Sequence, residues 1–404
     1  MSVDLSSRFN EPLPSLNAGQ QDAARKFHHW IQNKDKPTFE ISGPAGSGKT
    51  FLIRHLLELE GIDLKQVLFV AYVGKATLAL AKNGLNAKTI HSAFYRVVHV
   101  PLKTKNGNFI YKEDGDIACT FTFLPLKELD PDIRYIVVDE GSMVPDHICE
   151  HILSYKIPVI VMGDLNQLDP VFGSPMFLKN PDVVLTEIMR QEKGSPIIYL
   201  ANEIIRGYVL RPGKLDSEGK VQIVSSRNEM DLDYFASDVV ICGKNKTRCA
   251  FNSYMRNYLK GIKGVSPVVG DKVICRKNNW DIHNRDGLYL VNGLTGYIRS
   301  IDYEHSSHKI LRIDFEPDEF ASCFYNIDVD RRGFEYTDGD YDKKLSIYDI
   351  FEYGYAITCH LAQGSQYKKV IVKHEVMRKN NIAQNIKWLY TAVTRAIDSL
   401  ILII

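Results

Sequence analysis

Eight residues, Gly43-Pro-Ala-Gly-Ser-Gly-Lys-Thr50, follow the apolar run PTFEIS (37–42) and precede the helix-like FLIRHLLELE. This order places a glycine-rich turn where a strand hands over to a helix, and few folds accommodate that junction. Gly43, Gly46 and Gly48 allow successive backbone N–H groups to converge on an anion, Pro44, Ala45 and Ser47 fill the turn, and the helix N-terminus adds positive dipole. Lys49 reaches the outer phosphates and Thr50 offers a hydroxyl to a magnesium ion. Every position of G-x-x-x-x-G-K-[ST] is filled, so the chain is expected to bind a nucleoside triphosphate on an α/β scaffold.

Other strand signals fit that scaffold. VLFVAYV (67–73), YIVVDE (135–140) and PVIVMGD (158–164) alternate with helical segments, as the buried strands of a parallel sheet do. This predicts a RecA-like domain over residues 1–185. VQIVSS (221–226), DVVICGKN (238–245), YAITCH (355–360), KKVIVKHE (368–375) and SLILII (399–404) predict a second α/β domain over 186–264 and 350–404, without a phosphate loop of its own. Two inserts interrupt the alternation. Asn106-Gly107 lies between alternating apolar runs and predicts a β-hairpin at about 97–125. Residues 265–349, rich in β-formers and with a further turn at Asn292-Gly293, predict a small β-barrel.

Composition narrows the class without naming a function. A net charge of +1 means that a polyanionic partner must be held by a local groove rather than by a basic surface. Seven cysteines, odd in number and never spaced C-x-x-C, argue against a disulfide framework or a zinc site. No apolar stretch reaches membrane-spanning length, and the first residues lack the basic start and apolar core of a signal peptide. An intracellular enzyme without membrane partners is the expectation.

The chemistry is carried by strand ends. Asp139-Glu140 closes YIVV, which puts two carboxylates at the carboxyl edge of a parallel sheet, where α/β folds bind ligands. Asp139 is expected in the metal's ligand shell and Glu140 as the base that orients and deprotonates the attacking water. GDLNQLDPV (163–171) opens at another strand end and offers Gln167 to a γ-phosphate or its water. Arg190 in LTEIMRQ and Arg395 in YTAVTRA could bring cationic charge to phosphoryl transfer.

In this order the motifs resemble those of superfamily 1 helicases, in the RecD/Dda-like branch that moves 5′ to 3′. LNAGQQDA (16–23) resembles the adenine-reading element with Gln20, VAYVGKATLALAK and KTIHSAF resemble motifs Ia and Ib, and DEGSM, GDLNQLDPV and LTEIMRQ match motifs II, III and IV. YAITCHLAQGSQYKKVIV resembles motif V, including Gly364 as a nucleotide-side residue, and WLYTAVTRA matches motif VI. The resemblance covers nearly the whole chain.

It implies two RecA-like P-loop domains, ATP and Mg²⁺ as cofactors, and single-stranded and forked DNA as partners. Lys75, Thr89, His91, Thr358 and His360 would contact the tracking strand. The hairpin would be a strand-separating pin with Phe109 or Tyr111 as the wedge, and the barrel an SH3-like insert. The implied role is a compact replication, repair or recombination motor in a bacterial or phage-infected cell, with a single-strand-binding protein among candidate partners. A translocase that displaces proteins without efficient unwinding, a nucleotide-controlled binding switch and an RNA substrate remain as alternatives.

Overall fold

The computed structural model describes residues 16–33, 35–82, 84–104, 106–111, 115, 117–126, 128–170, 173–187, 195–226, 238–318, 322–335, 347–377 and 381–404. The chain divides into two compact units, one of residues 1–96, 125–207 and 386–394, the other of residues 97–124, 208–385 and 395–404.

The first unit runs α1 (Ala18–Asn33), β1 (Thr38–Ser42), α2 (Lys49–Leu59), β2 (Val67–Ala71), α3 (Gly74–Lys82), β3 (Ala87–Thr89) and α4 (Ile90–Phe94). A ribbon of β4 (Tyr95–Pro101) and β5 (Cys119–Pro125), whose residues 97–124 belong to the second unit, then leads back to the first unit's β6 (Tyr135–Asp139), α5 (Asp146–Ser154), β7 (Val159–Gly163), β8 (Val183–Val184) and α6 (Pro196–Ile205). Its sheet has the order β3-β2-β6-β7-β1-β8 and is parallel throughout. Every residue of β2 and β7 is buried, which is why these strands read as unbroken apolar runs. Phe27, Trp30, Phe39, Ile41, Leu52 and Leu56 form one core, while Ile90, Phe94, Val138, Val161 and Ile148 form another.

The second unit continues with β9 (Gly213–Lys214), β10 (Val221–Val224), β11 (Val239–Cys242) and α7 (Asn245–Lys260). Next come β12 (Lys272–Cys275), β13 (Asn279–His283), β14 (Tyr289–Leu290), β15 (Thr295–Asp302), β16 (Ile310–Pro317), β17 (Phe324–Asp330), α8 (Arg332–Glu335) and β18 (Phe351–Tyr353). The chain closes with β19 (Ala356–Thr358), α9 (Cys359–Ala362), β20 (Tyr367–Lys373), α10 (Ile382–Val393), whose residues 386–393 belong to the first unit, and β21 (Ala396–Ile403). One sheet has the order β19-β11-β20-β21-β10-β9, parallel except for β9. Both RecA-like α/β sheets expected from the sequence are present.

Between β11 and β19 lies a five-stranded antiparallel sheet, β17-β16-β15-β12-β18. It is tied to α7 by a buried pair in which Arg256 donates to both carboxylate oxygens of Asp271 at 3.0 Å. The Tyr355 hydroxyl reaches the same carboxylate at 2.9 Å, and the guanidinium also lies 4.7 Å from the Tyr353 ring centroid.

The two Asn-Gly turns do less than the sequence implied. Asn106-Gly107 closes only a small tip, with Gly107 N donating to Thr104 O and Ile110 N to Leu102 O, whereas the long ribbon pairs β4 with β5. Leu102 also donates to Ala118 O, so the chain doubles back twice inside the ribbon. Asn292-Gly293 redirects the chain from β14, which pairs with β13, to β15, which pairs with β12 and β16.

Candidate active site

Parallel register brings the predicted residues of the first unit to one edge. Ser42 pairs with Gly163 and Ala71 with Asp139, so β1, β2, β6 and β7 end together. Gly43 N donates to Gly163 O at 3.0 Å and Leu165 N to Ser42 Oγ at 3.1 Å, which fastens the phosphate loop to the Gly163–Asp169 loop at its base. Gly46 and Gly48 have φ of 82° and 80°, left-handed conformations that favour glycine. At Gly43 a Cβ would lie 2.8 Å from Ser47 Oγ and 3.0 Å from Leu185 O. Ser47 Oγ is buried and has no hydrogen-bond partner among the described residues, as expected of a group that faces a ligand.

The Lys49 ammonium donates to Gly43 O at 2.7 Å and to Pro44 O at 3.0 Å. Thr50 sits in the first turn of α2. Gln20 is buried, and both ends of its amide are engaged. Its Oε1 accepts from Asn17 N at 3.2 Å and its Nε2 donates to Ser47 O at 3.5 Å, so it caps α1 and ties that helix to the phosphate loop.

Asp139 ends β6, and its Oδ1 accepts the Glu140 N–H at 2.9 Å. Burial, reinforced by the charge of Glu140 and partly offset by Lys49, pushes this carboxyl up to about 6. A divalent cation beside it would reverse that penalty, and a hard oxygen set of Thr50, Asp139 and phosphate suits magnesium. Glu140 has φ 51° and ψ 43°, a left-handed conformation that is uncommon outside glycine. The next residue leaves no room to relax, because a Cβ on Gly141 would approach Val161 Cγ1 to 2.4 Å.

Gln167 is 2% exposed, and its Oε1 has no hydrogen-bond partner among the described residues. Asp164, at the start of its loop, accepts from Asn166 N at 3.0 Å and from the Tyr390 hydroxyl at 2.7 Å. His91, in α4, lies between Tyr72 and Tyr95, with ring centroids 5.8 and 5.5 Å away. Burial, with the charge of His147, lowers its pKa and favours an uncharged aromatic ring. Sequence reasoning did not single out Tyr72, within VAYVGKATLALAK, or Tyr95, immediately after KTIHSAF. The Thr89 hydroxyl caps α4 by accepting from Ser92 N. Lys75 falls in α3 with its side chain outside the described residues, and Arg190 also lies outside them.

In the second unit, Thr358 and His360 stand at the β19–α9 junction, and burial lowers the His360 pKa. Gly364 has φ 73°, and the buried Arg395 guanidinium donates to the neighbouring Ser365 O at 3.3 Å. On the ribbon, Phe109 is 41% and Tyr111 59% exposed, with the Lys103 ammonium 5.0 Å from the Phe109 ring centroid.

A phosphate loop, an acidic strand end and a glutamine-bearing loop at one edge of a parallel sheet define the P-loop nucleotide-hydrolase class. The family model for the AAA domain matches residues 15–226, and that for the UvrD-like helicase C-terminal domain matches 353–403. The chain belongs to the AAA-domain family, and its C-terminal segment matches the UvrD-like helicase C-terminal domain.

Over 88% of its length it is 24% identical to the ATP-dependent DNA helicase dda of Enterobacteria phage T4, covering 82% of that protein. It is 26% identical over 89% of its length to the ATP-dependent RecD2 DNA helicase of Deinococcus radiodurans, and 25% identical over 90% to an uncharacterised protein of Methanocaldococcus jannaschii. The chain spans 46% and 36% of the lengths of these last two relatives. The Pif1 helicase from Bacteroides, solved with ADP-AlF3 and ssDNA, shares the fold with a TM-score of 0.55 at 18% identity, covering 94% of this chain and 91% of that one.

Proposed function

We propose that the protein is an ATP-dependent DNA helicase that moves 5′ to 3′ on single-stranded DNA and opens duplex ahead of it. The observation that carries this reading is the assembly of Lys49, Thr50, Asp139, Glu140 and Gln167 on the edge of one parallel sheet, in a chain whose named relatives are DNA helicases. A pure binding switch has little use for a full hydrolytic set.

For the triphosphate, Lys49 exchanges the carbonyls of Gly43 and Pro44 for β- and γ-phosphate oxygens, and the glycine turn supplies backbone N–H donors. Magnesium held by Thr50 and Asp139 would neutralise charge on the phosphates. Glu140 accepts a proton from the attacking water while Gln167 orients it. Arg190 and Arg395 would add positive charge as the phosphoryl group transfers. Bound DNA accelerates hydrolysis to the extent that it prefers the hydrolytic arrangement.

Lys75, Thr89, His91, Thr358 and His360 would hold the tracking strand. The neutral ring of His91 between Tyr72 and Tyr95 supports stacking on bases rather than ion pairing with phosphates. We read the β4–β5 ribbon as the pin and the antiparallel insert as an SH3-like barrel, with domains at 1–185, 186–264 plus 350–404, and 265–349.

ATP-dependent unwinding of matched duplexes with a 5′ or a 3′ single-stranded tail, with Lys49→Ala as the inactive control, tests the function. Opening from the 5′ tail alone supports motor and polarity together, whereas opening from the 3′ tail alone overturns the polarity. DNA-stimulated hydrolysis that opens neither duplex favours a translocase.

A further inference from the structure

Gln167 is held in an unusual way for a residue read as a reactive amide. Its Oε1 has no partner among the described residues, so the pose of the side chain is set by burial and by the backbone of its own loop. That loop is fastened at three points by one face of α10. The Tyr390 hydroxyl donates to Asp164 Oδ2 at 2.7 Å, Leu168 N donates to Thr391 Oγ1 at 2.9 Å, and the Lys387 ammonium donates to Asp169 Oδ1 at 2.6 Å. Positions 387, 390 and 391 are spaced i, i+3, i+4 and therefore share a helix face.

The attachment bonds bracket Gln167 on both sides. Asp164 is 1% exposed, and its carboxylate is divided between Asn166 N inside the loop and Tyr390 outside it. Asp164 O also accepts Gln167 N at 3.1 Å, so the residue that takes the tyrosine bond sets the backbone from which Gln167 projects. Removing the tyrosine hydroxyl leaves a buried carboxylate oxygen without its donor, and the loop must shift to find another.

The geometry points to Tyr390, with Thr391 and Lys387, as positioning residues that fix Gln167 for hydrolysis. They act through the loop and not on the nucleotide. This rests on the reading of Gln167 as the residue that orients the attacking water.

The test compares Tyr390→Phe, Thr391→Val, Gln167→Ala and the double variant Tyr390→Phe/Gln167→Ala in the full chain. It measures kcat and KM for ATP at saturating single-stranded oligonucleotide, together with equilibrium binding of a fluorescent ATP analogue. Displacing a reacting group by about 1 Å is worth up to a hundredfold in rate, so Tyr390→Phe should lower kcat by about tenfold or more. KM and analogue affinity should stay within about twofold, and Thr391→Val should act in the same direction. The double variant should be no slower than Gln167→Ala alone, because the positioning has nothing left to position.

Wild-type kcat in both Tyr390→Phe and Thr391→Val overturns the inference, as do rate losses that multiply in the double variant. Full activity in Gln167→Ala also overturns it, and removes Gln167 from the mechanism while leaving the ATP-dependent motor intact. Absence of hydrolysis in the wild-type protein would instead refute the functional reading on which the inference stands.

Discussion

Replacing Asp139 with Asn should make the nucleotide-free protein more stable while ending hydrolysis. Burial and the Glu140 charge raise the Asp139 carboxyl from its ordinary 3.8 to about 6. At about 1.4 kcal/mol per tenfold change, holding it ionised at neutral pH costs the native state about 3 kcal/mol. The Asn amide carries no charge, and its oxygen can still accept the Glu140 N–H that Asp139 Oδ1 takes at 2.9 Å.

Burying the amide's own N–H groups returns part of the gain, so a net stabilisation of about 1–3 kcal/mol is expected. For a cooperative unit of this size that is a rise in Tm of a few degrees to about 10 °C. The sign with pH is fixed. A carboxyl whose folded value lies above its unfolded one leaves stability intact below about 3.8 and costs progressively more as pH rises through about 6. Thermal melting without nucleotide or divalent cation should therefore show the widest gap between variant and wild type above pH 6, and the gap should close towards pH 4. A variant that melts at or below the wild-type temperature at pH 7.5, or a gap independent of pH, would refute the reasoning. Adding Mg²⁺ with a non-hydrolysable ATP analogue should raise the Tm of the wild type more than that of the variant.

Three further outcomes follow from particular contacts. Glu140→Gln should lower kcat by about 10²–10⁴-fold while leaving ATP affinity nearly unchanged, as read by steady-state hydrolysis beside equilibrium binding, since the amide keeps the left-handed backbone position but cannot take a proton. Arg256→Leu removes the counter-charge of the fully buried Asp271 carboxylate, leaving it only the Tyr355 hydroxyl and the Val268 N–H among the described residues, and should cost about 3–5 kcal/mol in urea unfolding of the second unit, a far larger loss than an exposed ion pair such as Arg54–Glu58 could produce. Phe109→Ala or Tyr111→Ala should reduce unwinding of a forked duplex while DNA-stimulated hydrolysis persists; equal unwinding by both variants would remove the wedge role from these exposed rings.

What could be read from the sequence was local or periodic. VLFVA and VIVMG announce strands because both faces of a parallel sheet are covered, and the phosphate loop announces its own turn because Gly46 and Gly48 need positive φ. The nested ribbon was not legible, since Asn-Gly specifies a turn and not which strands the turn will join, and Leu102 meets both Ile110 and Ala118. Nor was the pairing of β12 with β18, for which Cys275 must find Phe351 across the intervening insert. The candidate site divides the same way. Each motif supplies its reactive side chain in a short window, but the bonds that orient it come from far along the chain: Asp164 waits for Tyr390, and Leu168 N for Thr391. Burying the Asp164 carboxylate is costly unless both oxygens are paired, and since the motif itself supplies only Asn166 N, the second donor comes from Tyr390. The polar residue within a motif that has no evident chemistry of its own is therefore the place to look for what holds the motif in position.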